Sequence, residues 1–536
     1  MTRPDWRYYR SRQRARGRSR RAVPRTAREA VETLLEERLD RRGFPAGLEL
    51  DAARAMEEAE RGAGARRDLT ELATFTVDPA TARDFDDAVS AQREGDGTRL
   101  WIHIADVAAH VKPGSALDQE ARRRANSTYV PGTVDPMLPH ALSEEACSLA
   151  PGVERLAVTA EVELAPDGLP RAASFYRSRI RSDVRLDYDQ LDSVFAGRVR
   201  PSEPVAEPLA VAREAAAALG ERRSATSLDV ESFEPEFRFD AEGNVTGARG
   251  VEQTESHRLI ERLMILANEQ VAGLLERKRV PAVYRIHPQP DPPRVEHLIE
   301  QLHALGVPTP PLREGLAPRQ AGEVVAEASR LVLREAARRG HGRKAYTSLV
   351  LRSLQQARYS ERNSGHAGLG SAAYCHFTSP IRRYPDLVVH RALLAALGEG
   401  EEAPRAGEVR DVAQHCSERE RDSAQIERDA DDICAAFLLE RELAERGSEV
   451  ELAGEVSGTI RSGAFAGFGG ELGDVYEGFL PARLIGGDER FELDEAETAL
   501  VGCESGHAIR LGDPISVRVT AVEALRGRVD LEPADG

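Results

Sequence analysis

From Asp68 onward, short strand-like stretches and Pro/Gly turns alternate with long helical runs, and this alternation is the strongest constraint on the fold. Thr74-Phe75-Thr76-Val77, Leu100–Ile104 and Ala157–Leu164 have the patterning of strands. Glu255–Lys278, Arg319–Arg338 and Val409–Glu445 read as helices. The expectation is a mixed α/β or α+β body over 68–446, one large domain. Ahead of it, 26–67 reads as a short helical lead-in. Thr26 and Glu29 form a capping box for a helix over Ala27–Arg42, stopped by Gly43-Phe44-Pro45, and a second helix over Leu50–Arg61 ends at Gly62–Gly64. The last segment, 449–533, holds five strand-like runs: Gly454–Ile460, Ala464–Phe468, Glu477–Leu480, Ala499–Val501 and Ile515–Val522. Five short strands after a helical body predict a small OB-fold β-barrel.

With 536 residues, two to four domains is the prior. A chain that is 41% hydrophobic and 30% charged is ordinary globular composition and excludes wholesale disorder. No stretch approaches the roughly 18 apolar residues of a membrane span, and the arginine-rich start has no apolar core of a secretory signal. A cytoplasmic protein without membrane contact is expected. Cys147, Cys375, Cys416, Cys434 and Cys503 are scattered without Cys-x-x-Cys spacing, so buried thiols are expected rather than disulfides or zinc. His103, His110, His287, His366 and His376 have no metal-ligand spacing and read as packing or hydrogen-bonding groups. Ser379 lacks the Gly-x-Ser-x-Gly context of a serine hydrolase. No glycine-rich phosphate loop is present, so no use of ATP is expected.

The net charge of −17 conceals a polarity: residues 1–28 carry eleven arginines against Asp5, giving +10 there and −27 over the remainder. An acidic exterior repels nucleic acid except where a channel gathers positive charge. Met1–Arg25, with Trp6, Tyr8 and Tyr9 among its charges, predicts a disordered basic arm. Its composition suits either an RNA-holding segment or a solubilising tail, or a misassigned start.

The sharpest local feature is Asp78-Pro-Ala-Thr-Ala-Arg-Asp84-Phe-Asp86-Asp87, four carboxylates where a strand ends. Anionic groups this close need a counter-charge or raised pKa values. A hard divalent cation with oxygen ligands would supply it and would stabilise displacement at phosphorus. A solvated Asp-rich turn, a calcium loop and a phosphatase Asp-x-Asp share the pattern. A second group, Thr378-Ser379-Pro380-Ile381-Arg382-Arg383-Tyr384-Pro385-Asp386 with His390-Arg391, sets two cations before a helical run over Leu387–Leu397. Planar guanidinium forks suit phosphate oxygens. Adjacent side chains on a turn diverge, so one should meet phosphate and the other pair with an acid. A structural ion-pair node is the competing reading.

Taken together, these residues resemble the ribonuclease II/ribonuclease R group of RNB-domain exoribonucleases. The likeness lies in Asp68–Val89, Ile102–Val111, Lys112–Ala121, Tyr129–Leu142, Glu255–Asn268 and His376–Arg391, collinear over 68–445. It implies an α+β fold with an RNB-type catalytic domain and a terminal OB-fold RNA-binding module. It also implies hydrolytic 3′-to-5′ degradation of single-stranded RNA to nucleoside 5′-monophosphates, with magnesium as cofactor and manganese as a substitute. On this likeness Asp78, Asp84, Asp86 and Asp87 form the acidic metal-and-water centre, and Arg382 supports the scissile phosphate. Tyr129 stacks on the last nucleotide, Glu427 lines the channel, and Arg383 is a further RNA contact. Phe465, Phe468 and Phe479 are stacking candidates on the barrel, or core residues on strand alternation. A monomer is expected.

The chain departs from the family pattern in three places. About 67 residues stand where family members carry two cold-shock modules. Arg223 is followed by Ser-Ala-Thr-Ser-Leu in place of Gly-Ala. Ser462 and Pro481 replace a common aromatic and histidine of the barrel. The rival from another class is a non-catalytic RNA-binding regulator on the same scaffold, and a small-molecule phosphatase is a third reading, which leaves the barrel and arm unexplained.

Overall fold

The computed structural model describes residues 23–534 except 40–42, 63, 65, 224–233, 252, 314, 448, 470–474 and 488. The predicted basic arm therefore lies outside the described residues up to position 22, as does the Ser-Ala-Thr-Ser-Leu departure after Arg223.

The body is organised on a seven-stranded sheet. Its strands are β1 (Arg67–Asp68), β2 (Phe75–Asp78), β3 (Asp87–Glu94) and β4 (Gly97–Ala105), followed, after a small hairpin of β5 (Thr128–Val130) and β6 (Thr133–Asp135), by β7 (Glu154–Leu164), β8 (Pro170–Arg181) and β9 (Val184–Asp187). The spatial order is β1-β8-β7-β4-β3-β2-β9. The β3-β4-β7-β8 meander is antiparallel, while β1 on β8 and β9 on β2 are parallel. Against the sheet pack the helices Glu255–Lys278 and Tyr384–Leu397, burying Leu259, Leu263, Leu387 and Leu394 with Ile102, Ala160 and Val162 in one core. A row of buried polar groups crosses this apolar layer. Thr74, just ahead of β2, is joined in series, side chain to side chain, to Ser90, His103, Thr159 and Ser178 on β3, β4, β7 and β8, at 2.7, 3.2, 2.9 and 2.6 Å. His103 is thus a hydrogen-bonding core residue, as its spacing suggests.

Two smaller cores flank this one. Helices Pro292–Ala304, Pro318–Arg339 and Arg343–Ser353 bury Leu298, Val325 and Leu349 among themselves. The long helix Ala406–Arg446 has 41 residues, about 60 Å at 1.5 Å per residue. Its first third lies in the main core through Val409, Val412 and Cys416. Farther along, Ile426, Ile433 and Leu438 join the barrel and the first helix in another core.

The lead-in does not behave as a unit. Helix Ala27–Arg38 packs on the long helix and pairs Arg38 with Asp429 at 2.6 Å, whereas Leu48–Arg61 buries Leu48, Ala52 and Ala55 in the main core. The predicted capping box is half formed. Thr26 accepts from the Glu29 N–H at 3.3 Å, but the Glu29 carboxylate takes the N–H of Arg25 instead.

The barrel closes as predicted, with one change of strand. Its members are Leu452–Ile460, Gly463–Phe468, Tyr476–Pro481, Pro514–Glu523 and Arg528–Pro533. The expected strand at Ala499–Val501 belongs to a separate three-stranded sheet with Phe491–Leu493 and Ala508–Arg510. The fifth barrel strand is the polar-rich Arg528–Pro533, whose alternation of Val529 and Leu531 with charges marks a strand with only one face buried. Its hairpin turns at Gly527, where φ is +60° and a Cβ would come within 2.5 Å of Asp432, so the turn seats on the long helix only as glycine. Four cysteines are buried as expected, but Cys503 is exposed.

Candidate active site

The acidic loop spans the gap between two neighbouring strands: Asp78 ends β2 and Asp87 begins β3. The strands run antiparallel, with Phe75 opposite Val89, so the loop returns the chain to the same edge of the sheet. Pro79 opens a tight turn, its carbonyl accepting from the N–H of Ala82 at 3.0 Å. Phe85 drives its ring into the core between Asp84 and Asp86. The Ser148 hydroxyl accepts from the Phe85 N–H at 3.1 Å and donates to the Arg83 carbonyl at 2.7 Å. An apolar anchor in the middle of the loop thus holds charges that would otherwise turn to solvent.

The second motif meets this loop from far along the chain. The Ile381 N–H donates to Asp86 Oδ1 at 2.8 Å, and Arg382 Nε lies 3.4 Å from Asp86 Oδ2. The Arg382 guanidinium also donates to the Ser379 hydroxyl at 3.1 Å, and the Ser127 N–H donates to its carbonyl at 3.0 Å. Asp86 is 3% exposed, while 44% of the Arg382 side chain faces solvent, so the cation forms the open wall of the site and the acid its floor.

Charge at the site is unbalanced. Burial, followed by the neighbouring Asp87 and Asp84, raises the Asp78 carboxyl to about 8 against the opposing pull of Arg185 and Arg382. Burial pushes Asp86 well above the ordinary carboxyl range, and raises Asp87 to about 6 although Arg382 and Arg383 oppose it. Asp78 Oδ2 and Asp86 Oδ2 are buried without a hydrogen-bond partner among the described residues. Buried acids with orphaned oxygens fit a hard cation, which would supply the missing counter-charge. Among the described residues no three side-chain ligands converge as a complete set, so water and substrate oxygens would have to complete the shell.

Tyr129 reaches the loop from β5. Its hydroxyl donates to Asp84 Oδ2 at 3.0 Å and its N–H donates to Glu427 Oε1 at 3.0 Å, which ties the hairpin to the long helix. Its ring is partly open, the residue being 39% exposed. Arg383 is the arginine that pairs with an acid: it meets the fully buried Asp386 at 2.7 Å, and its Nε is buried. The adjacent arginines diverge as turn geometry requires.

Two residues escaped the sequence reading. Arg185 in β9 donates to the carbonyls of Pro79 and Ala80 at 2.8 and 3.0 Å. Tyr188, just beyond β9, stacks on His257 with ring centroids 3.9 Å apart, and burial together with Asp87 and Asp78 raises its hydroxyl pKa. The signal available was the Val-Arg-Leu-Asp-Tyr run itself, which has no catalytic look until β9 pairs with β2.

The RNB domain model matches residues 66–399, which include both motifs. The chain belongs to the RNB-domain family. Ribonuclease R of Aquifex aeolicus is 35% identical over 87% of this chain and 64% of its own length, and ribonuclease R of Escherichia coli is 34% identical over 91% and 60%. This RNB-domain chain thus spans about three fifths of the length of those curated relatives. The solved Mycoplasma genitalium RNase R in complex with ribose-methylated single-stranded RNA superposes with a TM-score of 0.85 at 25% identity, over 95% of this chain and 78% of the other.

Beyond the RNB domain, the barrel aromatics divide. Phe465 and Phe479 are register partners on adjacent strands, half-buried, with ring centroids 5.3 Å apart. Phe468 is fully buried against Tyr476, so it is core and not a stacking surface. Strand alternation decides the difference, because Phe465 and Phe468 lie three residues apart and face opposite sides. No helix among the described residues is long and apolar enough to cross a membrane.

Proposed function

We propose that the chain is a metal-dependent exoribonuclease that hydrolyses single-stranded RNA from its 3′ end and releases nucleoside 5′-monophosphates. The observation that carries this reading is Asp86: a buried carboxylate, fixed through one oxygen by Ile381, with the other lacking a hydrogen bond and 3.4 Å from Arg382 Nε. None of the four family acids is missing, which weighs against a non-catalytic regulator. Asp78, Asp84, Asp86 and Asp87 would hold magnesium, or manganese in its place, with water and a substrate phosphate completing the shell. When bound, such an ion lowers the pKa of water and neutralises charge developing at phosphorus.

The remaining roles fall to the chain itself. Asp84 and Asp86 orient the attacking water through their acceptor oxygens. Arg382 presents its fork to the scissile phosphate from the open wall, where charge develops in the transition state. Tyr129 offers a ring face to the terminal base, and Glu427 fixes that ring's main chain. A sequence-tolerant substrate follows, because every base has a π-face and the site contacts phosphate. We place the protein in the cytoplasm as a monomer that needs no ATP.

The test is a time course on 5′-labelled single-stranded RNA of about 30 nucleotides, long enough to span several of the 4–16-nucleotide sites of binding modules. The expected result is a shrinking ladder that ends in a short fragment and is abolished by chelator. Binding without shortening would shift the reading to a regulator.

A further inference from the structure

We propose that Arg185 is a positioning residue that sets the spacing between Asp78 and the Asp84–Asp87 group by clamping both ends of the acidic loop. Resting on the metal-centre reading above, this extends it to a residue that touches neither ion nor substrate. Arg185 lies in β9, whose parallel pairing with β2 sets Thr76 opposite Arg185 and Asp78 opposite Asp187. From that register its side chain runs past the end of β2. One terminal nitrogen donates to the Pro79 carbonyl at 2.8 Å and to the Ala80 carbonyl at 3.0 Å, the two residues directly after Asp78. Its guanidinium carbon also stands 5.3 Å from the centroid of the Phe85 ring, between Asp84 and Asp86. One cation therefore bonds the beginning of the loop and lies over the Phe85 ring near its end.

The geometry asks for such a clamp. No regular structure spans 79–86, and like charges on its two sides push the ends apart. The far half of the loop is held by Ser148 and by the Leu149 N–H on the Phe85 carbonyl at 2.9 Å. The near half has the local bond from the Ala82 N–H to the Pro79 carbonyl, and Arg185 ties Pro79 and Ala80 across to Phe85. A guanidinium suits the task because it donates in plane and stacks on an aromatic face at once, which an ammonium cannot do. Fixing ligand carboxylates from outside is worth about 10- to 100-fold in metal affinity or activity when removed.

The test titrates manganese ion alone, by calorimetry, into wild-type, Arg185→Met and Arg185→Lys protein, and follows cleavage against manganese concentration and against RNA concentration. The expected result is manganese binding weakened about 10- to 100-fold in Arg185→Met, with a smaller loss in Arg185→Lys. Cleavage should fall at low manganese and recover at saturating manganese with KM for RNA unchanged, a rescue that general loss of folded protein would not give. If Arg185→Met does not fold, Arg185→Lys decides. A folded variant that binds manganese as tightly as wild type overturns the clamp. Failure of the wild type itself to bind manganese would instead sink the metal-centre reading.

Discussion

Asp86 and Ile381 lie 295 positions apart in the chain and are joined by a 2.8 Å hydrogen bond from the Ile381 N–H to Asp86 Oδ1. The bond makes the carboxylate part of the fold as well as part of the site, and this separates two effects of replacing it. Asn at 86 keeps an oxygen for Ile381 but removes the charge, which is needed chiefly in the transition state. Asp86→Asn should lower kcat by about 100-fold or more, the scale of losing one preorganised electrostatic group. Its thermal midpoint should stay level or rise, since burial disfavours the ionised acid. Single-turnover cleavage and a melting curve on the same preparation check both. Appreciable residual activity would remove Asp86 from the catalytic role.

The raised acids predict how metal and pH interact. Asp78 titrates near 8 and Asp87 near 6, both above their ordinary 3.8 because of burial first. Protons thus compete with a cation, so apparent metal affinity should increase from pH 6 to 8 and flatten above about 8. A group with a raised folded pKa contributes its stability below 3.8 and loses it as pH rises through the folded value. Above about pH 6.5, where the buried histidines no longer add a slope, metal-free protein should lose thermal stability up to about pH 8, and added magnesium should restore it. Calorimetry in buffers of different ionisation enthalpy would detect the released protons. PH-independent affinity over that window would contradict the charge imbalance.

How much of this was legible in the sequence depends on the range of the interactions. The acid cluster and the Ser379–Asp386 turn were visible because each is contiguous. Their meeting through Ile381 was not, since nothing local encodes a contact over 295 positions. The divergence of Arg382 and Arg383 was legible from their adjacency on a turn, but the acid that takes Arg383, the buried Asp386, was not. Arg185 was invisible because its role depends on the parallel register of β9 on β2. The helix Glu255–Lys278 was read to the residue, and Arg319–Arg338 and Val409–Glu445 to within three residues at each end, their apolar period being unambiguous. The barrel strand Arg528–Pro533 was missed because it is short and heavily charged, and Ala499–Val501 was taken in its place.

His103 predicts an acid branch to the stability curve. It lies buried between Ser90 and Thr159 in the polar row, and burial lowers its pKa from 6.5 to about 3. A depressed folded pKa means the contribution is present above 6.5 and is lost as pH falls toward 3. The His103 contribution to unfolding free energy should drop across that window by on the order of a few kcal/mol, against the opposing trend of Asp78 and Asp87. His103→Asn, which does not titrate, should lessen the slope. It should not abolish it, because His366, held near 3 by burial and by His287, acts in parallel. Chemical denaturation at pH 4, 5, 6 and 7 tests this. An unchanged slope in the variant would mean that the row does not hold His103 neutral.

The barrel aromatics give opposite outcomes from like substitutions. Phe465 and Phe479 present a half-buried pair on neighbouring strands, so each can lend a ring face to a base. Base–aromatic stacking is worth about 1–3 kcal/mol by alanine substitution. Phe479→Ala should therefore weaken RNA binding about 5- to 150-fold while leaving the melting temperature within a few degrees. Phe468, fully buried against Tyr476, should behave in reverse. Its alanine variant should lose about 3–5 kcal/mol of stability, the cost of emptying an aromatic site in a packed core. RNA affinity measured on the folded fraction of that variant should hardly change. Fluorescence anisotropy with a labelled oligoribonucleotide, read beside thermal melts of both variants, separates the surfaces. Equal loss of affinity in both would mean that the Phe465–Phe479 face is not where RNA lies.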